Sequence, residues 1–160
     1  MKGYKIMIKI LFICHGNICR SPMAEFVLKD MVKKRGLASQ FVIASAATSR
    51  EEIGNPVHPG TQRKLAAYGI STAGKHAVQM TRRDYGNYDY LIGMDQWNLR
   101  NMMKILGGDP DGKVSLLLSF AGRDGDIADP WYTGNFDATY QDVTEGCTGL
   151  LNSILERKEQ

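Results

Sequence analysis

Apolar side chains fill every position from Ile6 to Ile13 except Lys9. An unbroken, largely β-branched run predicts a strand covered on both faces. Ser21-Pro22 then offers an N-cap and a first helical residue. Ala24, Val27, Leu28 and Met31 recur at helical spacing, and Gly36 can end that element. Phe41 to Ala46 reads as a second strand, and a loop rich in Gly and Pro runs from Gly54 to Gly60. Residues 60–68 read as a helix with Leu65 and Tyr68 on one side, and Tyr88 to Met94 as a third strand. Asp95 can cap the next helix, where Leu99, Met102, Met103 and Leu106 share a face before Gly107-Gly108 stops it. Val114 to Phe120 reads as a fourth strand. A polar loop from Gly122 to Asn135 leads to a last helix, whose apolar side runs Tyr140, Val143, Cys147, Leu150, Leu151 and Ile154.

Strands alternating with helices predict an α/β fold, a four-stranded parallel sheet with helices on both faces. This is a three-layer sandwich of the flavodoxin-like or Rossmann-like kind, expected to form a single domain over residues 1–160. In such sheets ligands bind beyond the carboxyl ends of the strands, where strand order switches. The loop after the first strand is therefore the first place to look for chemistry.

Composition narrows the classes. A net charge of +3 with no long basic block argues against nucleic acid. Lys33, Lys34 and Arg35 sit at a helix end, where they complement the dipole. Lys5 and Lys9 interrupt the N-terminal apolar run, and no small-residue cleavage site follows before Arg20, so a buried strand is a better reading than a signal peptide. No stretch is apolar enough to span a bilayer. Three cysteines, an odd number, suit a reducing cytoplasm better than a disulfide framework.

The first loop reads Cys14-His15-Gly16-Asn17-Ile18-Cys19-Arg20-Ser21, placing five residues between Cys and Arg at a strand-to-helix junction. Consecutive backbone N–H groups in a tight loop form an anion nest, and the following helix adds its positive end. His15, Gly16, Asn17, Ile18, Cys19 and Ser21 are thus candidates to bind a phosphoryl group. Gly16 permits a close backbone approach. Arg20 offers a planar fork for two phosphate oxygens. Cys14 sits at the mouth of the nest, where a positive field favours the nucleophilic thiolate. Cys14, His15 and Cys19 are also metal-ligand types, but no second Cys/His pair stands at suitable spacing. No metal and no other cofactor is expected.

The pattern Cys-x-Gly-Asn-x-Cys-Arg-Ser-Pro resembles the signature of low-molecular-weight protein tyrosine phosphatases. Further matches are Ser45-Ala46-Ala47-Thr48-Ser49, Gly54-Asn55-Pro56, Met94-Asp95 and Asp129-Pro130-Trp131-Tyr132, so the resemblance extends over almost the whole chain. It implies a protein-tyrosine-phosphatase that hydrolyses phosphotyrosine and aryl phosphates through a cysteinyl-phosphate. Cys14 is then the nucleophile, Arg20 the phosphate clamp, and Asp129 the general acid and later the base. Inorganic phosphate is then product and competitive ligand. The same resemblance puts Asn17 and Ser45 in a hydrogen-bond network shaping the loop, and gives Cys19 a protective redox role. Asp95 is a helix cap by its own context, with a place near the site implied by the family. Trp131 and Tyr132 either stack on an aromatic substrate or anchor their loop. Ser21 either donates to the Cys14 sulfur or caps its helix.

Three departures stand out. His15 replaces an apolar residue of the family, Lys75 stands where many members carry a His of the loop network, and Arg50-Glu51 replace residues that shape the mouth. An arsenate reductase of the same fold is a rival, but it needs two further cysteines and only Cys147 lies beyond the loop. Phosphotyrosine proteins are the expected partners, with a cognate tyrosine kinase acting in opposition.

Overall fold

The computed structural model describes residues 7–158. Four strands, β1 (Ile8–Cys14), β2 (Phe41–Ala47), β3 (Tyr90–Gly93) and β4 (Val114–Leu116), form one parallel sheet in the order β2-β1-β3-β4. The chain builds outward from β1 first to one side and then to the other, so strand order switches at β1. Among the described residues six helices accompany it: α1 (Arg20–Lys34), α2 (Pro59–Ala66), α3 (Asp84–Asn87), α4 (Gln96–Leu106), α5 (Pro130–Thr133) and α6 (Phe136–Lys158).

The continuous apolar run of β1 is explained by burial on both sides. Ile10 and Phe12 pack in a cluster with Val27 and Leu28 of α1 and Cys147 and Leu150 of α6. Leu11 and Ile13 point the other way and pack with Met80 and with Met102 and Leu106 of α4. Each such side chain contributes about 1.5–3 kcal/mol when removed from water. This central strand therefore holds both layers together and fixes the position of Cys14 at its end.

Several elements differ from the sequence expectation. The first strand begins at Ile8, and Ile6 lies outside the described residues. Helix α1 starts at Arg20 with Cys19 in the cap position and no side-chain cap, so Ser21 is inside the helix. Its hydroxyl is engaged by the Cys14 sulfur and the Asn17 amide instead. Helix α2 is capped by His58, whose Nδ1 accepts from Gly60 N at 2.9 Å, and it ends before Tyr68. Tyr68 stacks on Tyr140 at 4.4 Å between ring centres, on the outside. Met103 faces solvent, so the buried stripe of α4 is Asn98, Met102 and Leu106.

The largest correction is the fourth strand, which stops at Leu116, with Leu117–Ala121 forming a 3₁₀ turn. Leu117 and Leu118 are both buried in this turn. Helix α6 admits the turn through two glycines. A Cβ on Gly146 would lie 2.5 Å from Leu117 Cγ, and one on Gly149 would lie 2.1 Å from the Phe120 carbonyl oxygen. A residue at either position that carried a side chain would push the turn off the helix.

Candidate active site

β1 ends at Cys14 and α1 begins at Arg20, so the loop between them lies at the carboxyl edge of the sheet, where strand order switches. Asn17 adopts φ of 59°, the one left-handed non-glycine backbone among the described residues. Such a conformation costs of order 1–3 kcal/mol and persists where its surroundings hold it. Here the buried Asn17 amide donates to Ser21 Oγ at 2.8 Å and to Ser45 Oγ at 2.9 Å, while its oxygen accepts from Val78 N at 3.1 Å.

Ser21 passes this order on to Cys14. Its Oγ lies 3.1 Å from Cys14 Sγ, and its backbone N–H donates to the same sulfur at 3.4 Å. Because Ser21 Oγ already accepts from Asn17, its own proton is free for the sulfur. The helix-cap alternative for Ser21 is thereby excluded.

Behind Ser45 lies a residue the sequence reading passed over. Glu25 is buried on α1 and accepts from Ser45 Oγ at 2.6 Å and from Lys29 Nζ at 2.6 Å. Lys75 Nζ stands 3.6 Å from Glu25 and donates to the Ser45 carbonyl at 2.8 Å. Burial lowers the Lys75 basicity from its ordinary value, with Glu25 opposing that shift. Hydrogen bonds and an ion pair thus run from Lys75 through Glu25, Ser45, Asn17 and Ser21 to Cys14. Glu25 and Lys29 at i,i+4 look like a solvated surface pair in sequence. The one pointer to a different supporting shell is Lys75 in place of a family histidine.

Arg20 is almost wholly buried. Its Nη1 donates to Asp95 Oδ2 at 2.6 Å and to the Ile127 carbonyl at 2.9 Å, and its Nη2 reaches Asp129 Oδ2 at 3.4 Å. Burial works against its charge, but Cys14, Asp95 and Asp129 outweigh it and hold the guanidinium above its ordinary basicity. Among the described residues the buried Arg20 Nε has no partner, so its N–H is open to an anion. Asp95 is also the cap of α4, its Oδ1 accepting from Asn98 N at 2.7 Å while its Oδ2 meets Arg20.

Asp129 caps the short helix α5, with Oδ1 accepting from Trp131 N at 3.0 Å, and turns Oδ2 toward Arg20. Of its acidic neighbours, Asp126 is engaged by Gln96 N, and Asp124 is exposed. Cys14, Arg20 and Asp129 line one cleft of about 110 Å³ together with His15, Gly16, Ile18 and Cys19. The side chains of Asn17 and Ser21 stand behind it. Trp131 and Tyr132 also line the cleft. Trp131 meets His58 edge-on at 5.7 Å, and Tyr132 is 84% exposed. Trp131 therefore both anchors and flanks, whereas Tyr132 only flanks. His15 Nε2 lies 2.9 Å from Glu51 at the rim. The Cys19 thiol is buried and pushed up to about 12, first by burial and then by the charges of Cys14 and Asp129. Cys147 is buried on α6, its sulfur 3.8 Å from the Ala24 carbonyl, and burial raises its thiol further.

A cleft with a sulfur at a strand end, a buried guanidinium and a carboxylate at its side has the charge and the nucleophile to receive an anion. The family model for low molecular weight phosphotyrosine protein phosphatase matches residues 9–160, and the chain belongs to that family. It is 41% identical over 156 residues to the low molecular weight protein-tyrosine-phosphatase YfkJ of Bacillus subtilis, covering 96% of this chain and 99% of that one. It is 36% identical to PtpA of Staphylococcus epidermidis, covering 94% and 96% of the two chains. The crystal structure of YfkJ superposes with a TM-score of 0.91 over 95% of this chain and 97% of that one. That of the phosphatase SP-PTP from Streptococcus pyogenes, 43% identical, gives 0.82 over 92% and 93%. The protein is thus a phosphatase of phosphorylated substrates with phosphate as product. Among the described residues no helix is long and apolar enough to cross a membrane.

Proposed function

We propose that the protein hydrolyses phosphotyrosine through a cysteinyl-phosphate formed on Cys14. The Cys14 thiolate attacks phosphorus in line with the tyrosyl oxygen. The sulfur–phosphorus bond forms as the phosphorus–oxygen bond breaks, and Asp129 gives its proton to the departing phenol. Asp129 then takes a proton from water, the water attacks phosphorus, and Cys14 leaves with inorganic phosphate released. Arg20 and the backbone N–H groups of His15 to Arg20 hold the equatorial oxygens as charge develops. Ser21 donates to the sulfur as entering and leaving group, and Asn17 and Ser45 keep Ser21 in place. Asp95 fixes the plane of Arg20. Trp131 and Tyr132 flank the aromatic ring.

The observation that carries this reading is the convergence of Cys14, Arg20 and Asp129 on one cleft, with Arg20 Nε left without a partner among the described residues. An arsenate-reductase reading is disfavoured, because Cys147 is buried on α6 and does not line the cleft. Cytoplasmic action against the products of a cognate tyrosine kinase fits the three unpaired cysteines. Cys19 lines the same cleft as Cys14: when peroxide oxidises the Cys14 thiolate to a sulfenic acid, the Cys19 sulfur attacks it, the hydroxyl leaves with the Cys19 proton as water, and a disulfide forms. The test is turnover of para-nitrophenyl phosphate and of a phosphotyrosine peptide by the wild type, Cys14→Ser and Arg20→Lys proteins. Loss in both variants supports the roles, and full activity in Cys14→Ser removes Cys14 from the mechanism.

A further inference from the structure

Three carboxylates line the cleft, and their surroundings differ. Asp129 Oδ2 lies 3.4 Å from Arg20 Nη2, and Glu51 Oε2 lies 2.9 Å from His15 Nε2. Glu52 meets the neutral amide of Asn55, which donates to its Oε1 at 3.0 Å. Among the described residues no cation pairs with it. Its position is nonetheless held, because its stem lies over the phosphate loop. A Cβ built on Gly16 would meet Glu52 Cγ at 3.2 Å.

A carboxylate at the mouth of a dianion site opposes its own ligand by direct repulsion. That the cleft receives an anion is indicated separately by Arg20, which lines it and carries a buried Nε with no partner among the described residues. The repulsion is offset when the substrate carries positive charge beside its phosphoryl group. The exposed faces of Trp131 and Tyr132 add a second attraction, since aromatic rings accept cations. The geometry points to Glu52 as a specificity-determining residue that selects phosphotyrosine peptides with Lys or Arg next to the phosphotyrosine. This rests on the reading that Cys14 and Arg20 handle the phosphoryl group, and it adds the class of protein sequence on which they act.

The effect is an exposed ion pair formed on binding, so it is modest and salt-sensitive. Steady-state kcat/KM would be measured for three phosphotyrosine peptides identical except for Lys, Ala or Glu on both sides of the phosphotyrosine. Para-nitrophenyl phosphate, which has no flanking residues, is the reference. The wild type should rank Lys above Ala above Glu, with about threefold to fivefold between neighbours at low salt, shrinking at high salt. Glu52→Gln should flatten the ranking, and Glu52→Lys should reverse it, which a merely structural role for Glu52 would not do. Equal rates for the three peptides in the wild type, or a ranking that survives both substitutions, overturns the assignment. If the wild type hydrolyses neither the peptides nor para-nitrophenyl phosphate, the catalytic reading itself falls. Turnover of para-nitrophenyl phosphate without charge ranking sinks only the role of Glu52.

Discussion

Asp95 and Arg20 are joined by a 2.6 Å ion pair, and the same Asp95 caps α4 through its other oxygen. A single carboxylate thus ties the guanidinium to the β3–α4 junction. The two jobs are separable, because Asn also caps helices but carries no charge. Asp95→Asn should keep the cap but weaken phosphate and vanadate binding about 10-fold and lower stability, as the buried Arg20 loses a charge partner and its fixed plane. Asp95→Ala should lose the binding and about 1 kcal/mol more stability than Asp95→Asn, because the cap goes too. Isothermal titration and urea denaturation read the two effects apart, and unchanged vanadate affinity in both variants would remove Asp95 from the site.

Asn17 combines a left-handed backbone with three side-chain hydrogen bonds, to Ser21, Ser45 and Val78. Asn17→Gly relieves the backbone and loses the bonds, whereas Asn17→Ala loses the bonds and keeps the strain. The Ala variant should be less stable than the Gly variant by about 1 kcal/mol. Both should lose activity, because Ser21 is no longer held against Cys14. Equal activity of Asn17→Gly and wild type would show that backbone conformation alone shapes the nest.

The Cys19 thiol, pushed up to about 12 by burial and by nearby negative charge, stays protonated in the folded chain at a pH where an unfolded thiol ionises. The folded state then binds more protons than the unfolded one, so this contribution is complete below pH of about 9 and declines as pH rises toward 12. Wild type stability should fall by up to about 1.4 kcal/mol per pH unit from this group. Cys19→Ser should show a shallower fall in urea denaturation at pH of about 8 to 11. Identical slopes would mean that other groups carry the alkaline loss.

Asp129→Asn should slow phenyl phosphate by about 10²–10⁴-fold, because its poor leaving group needs a proton. Para-nitrophenyl phosphate should suffer less in the transfer step. Equal and negligible losses for both would assign proton transfer elsewhere, to Asp124, Asp126 or water.

The parts of the site that are local in sequence were legible there. Cys14 to Ser21 is one loop, and its anion-binding logic follows from residue type and spacing. Asp129 drew its meaning from the Pro and aromatic residues beside it. Glu25 was not legible, because a buried carboxylate on a helix looks like any surface one until Ser45 and Lys75 are brought against it from 20 and 50 residues away. Glu52 likewise acquires its place only by folding over Gly16. In the fold, β1 was plain because both its faces are buried. The true end of β4 was hidden, since the apolar run Leu116-Leu117-Leu118 suits a strand and a 3₁₀ turn equally. What decides between them is the space that Gly146 and Gly149 leave on α6.

The most direct test of the central claim is to trap the intermediate. Asp129→Ala should still accept a phosphoryl group from para-nitrophenyl phosphate, whose leaving group needs little help, but should pass it to water slowly. Acid quenching during turnover, followed by mass spectrometry of peptides, should place one phosphoryl group on Cys14, and none should appear in the Cys14→Ser protein. A phosphoryl group on any other residue, or phosphate release by Cys14→Ser at the wild type rate, would contradict the account.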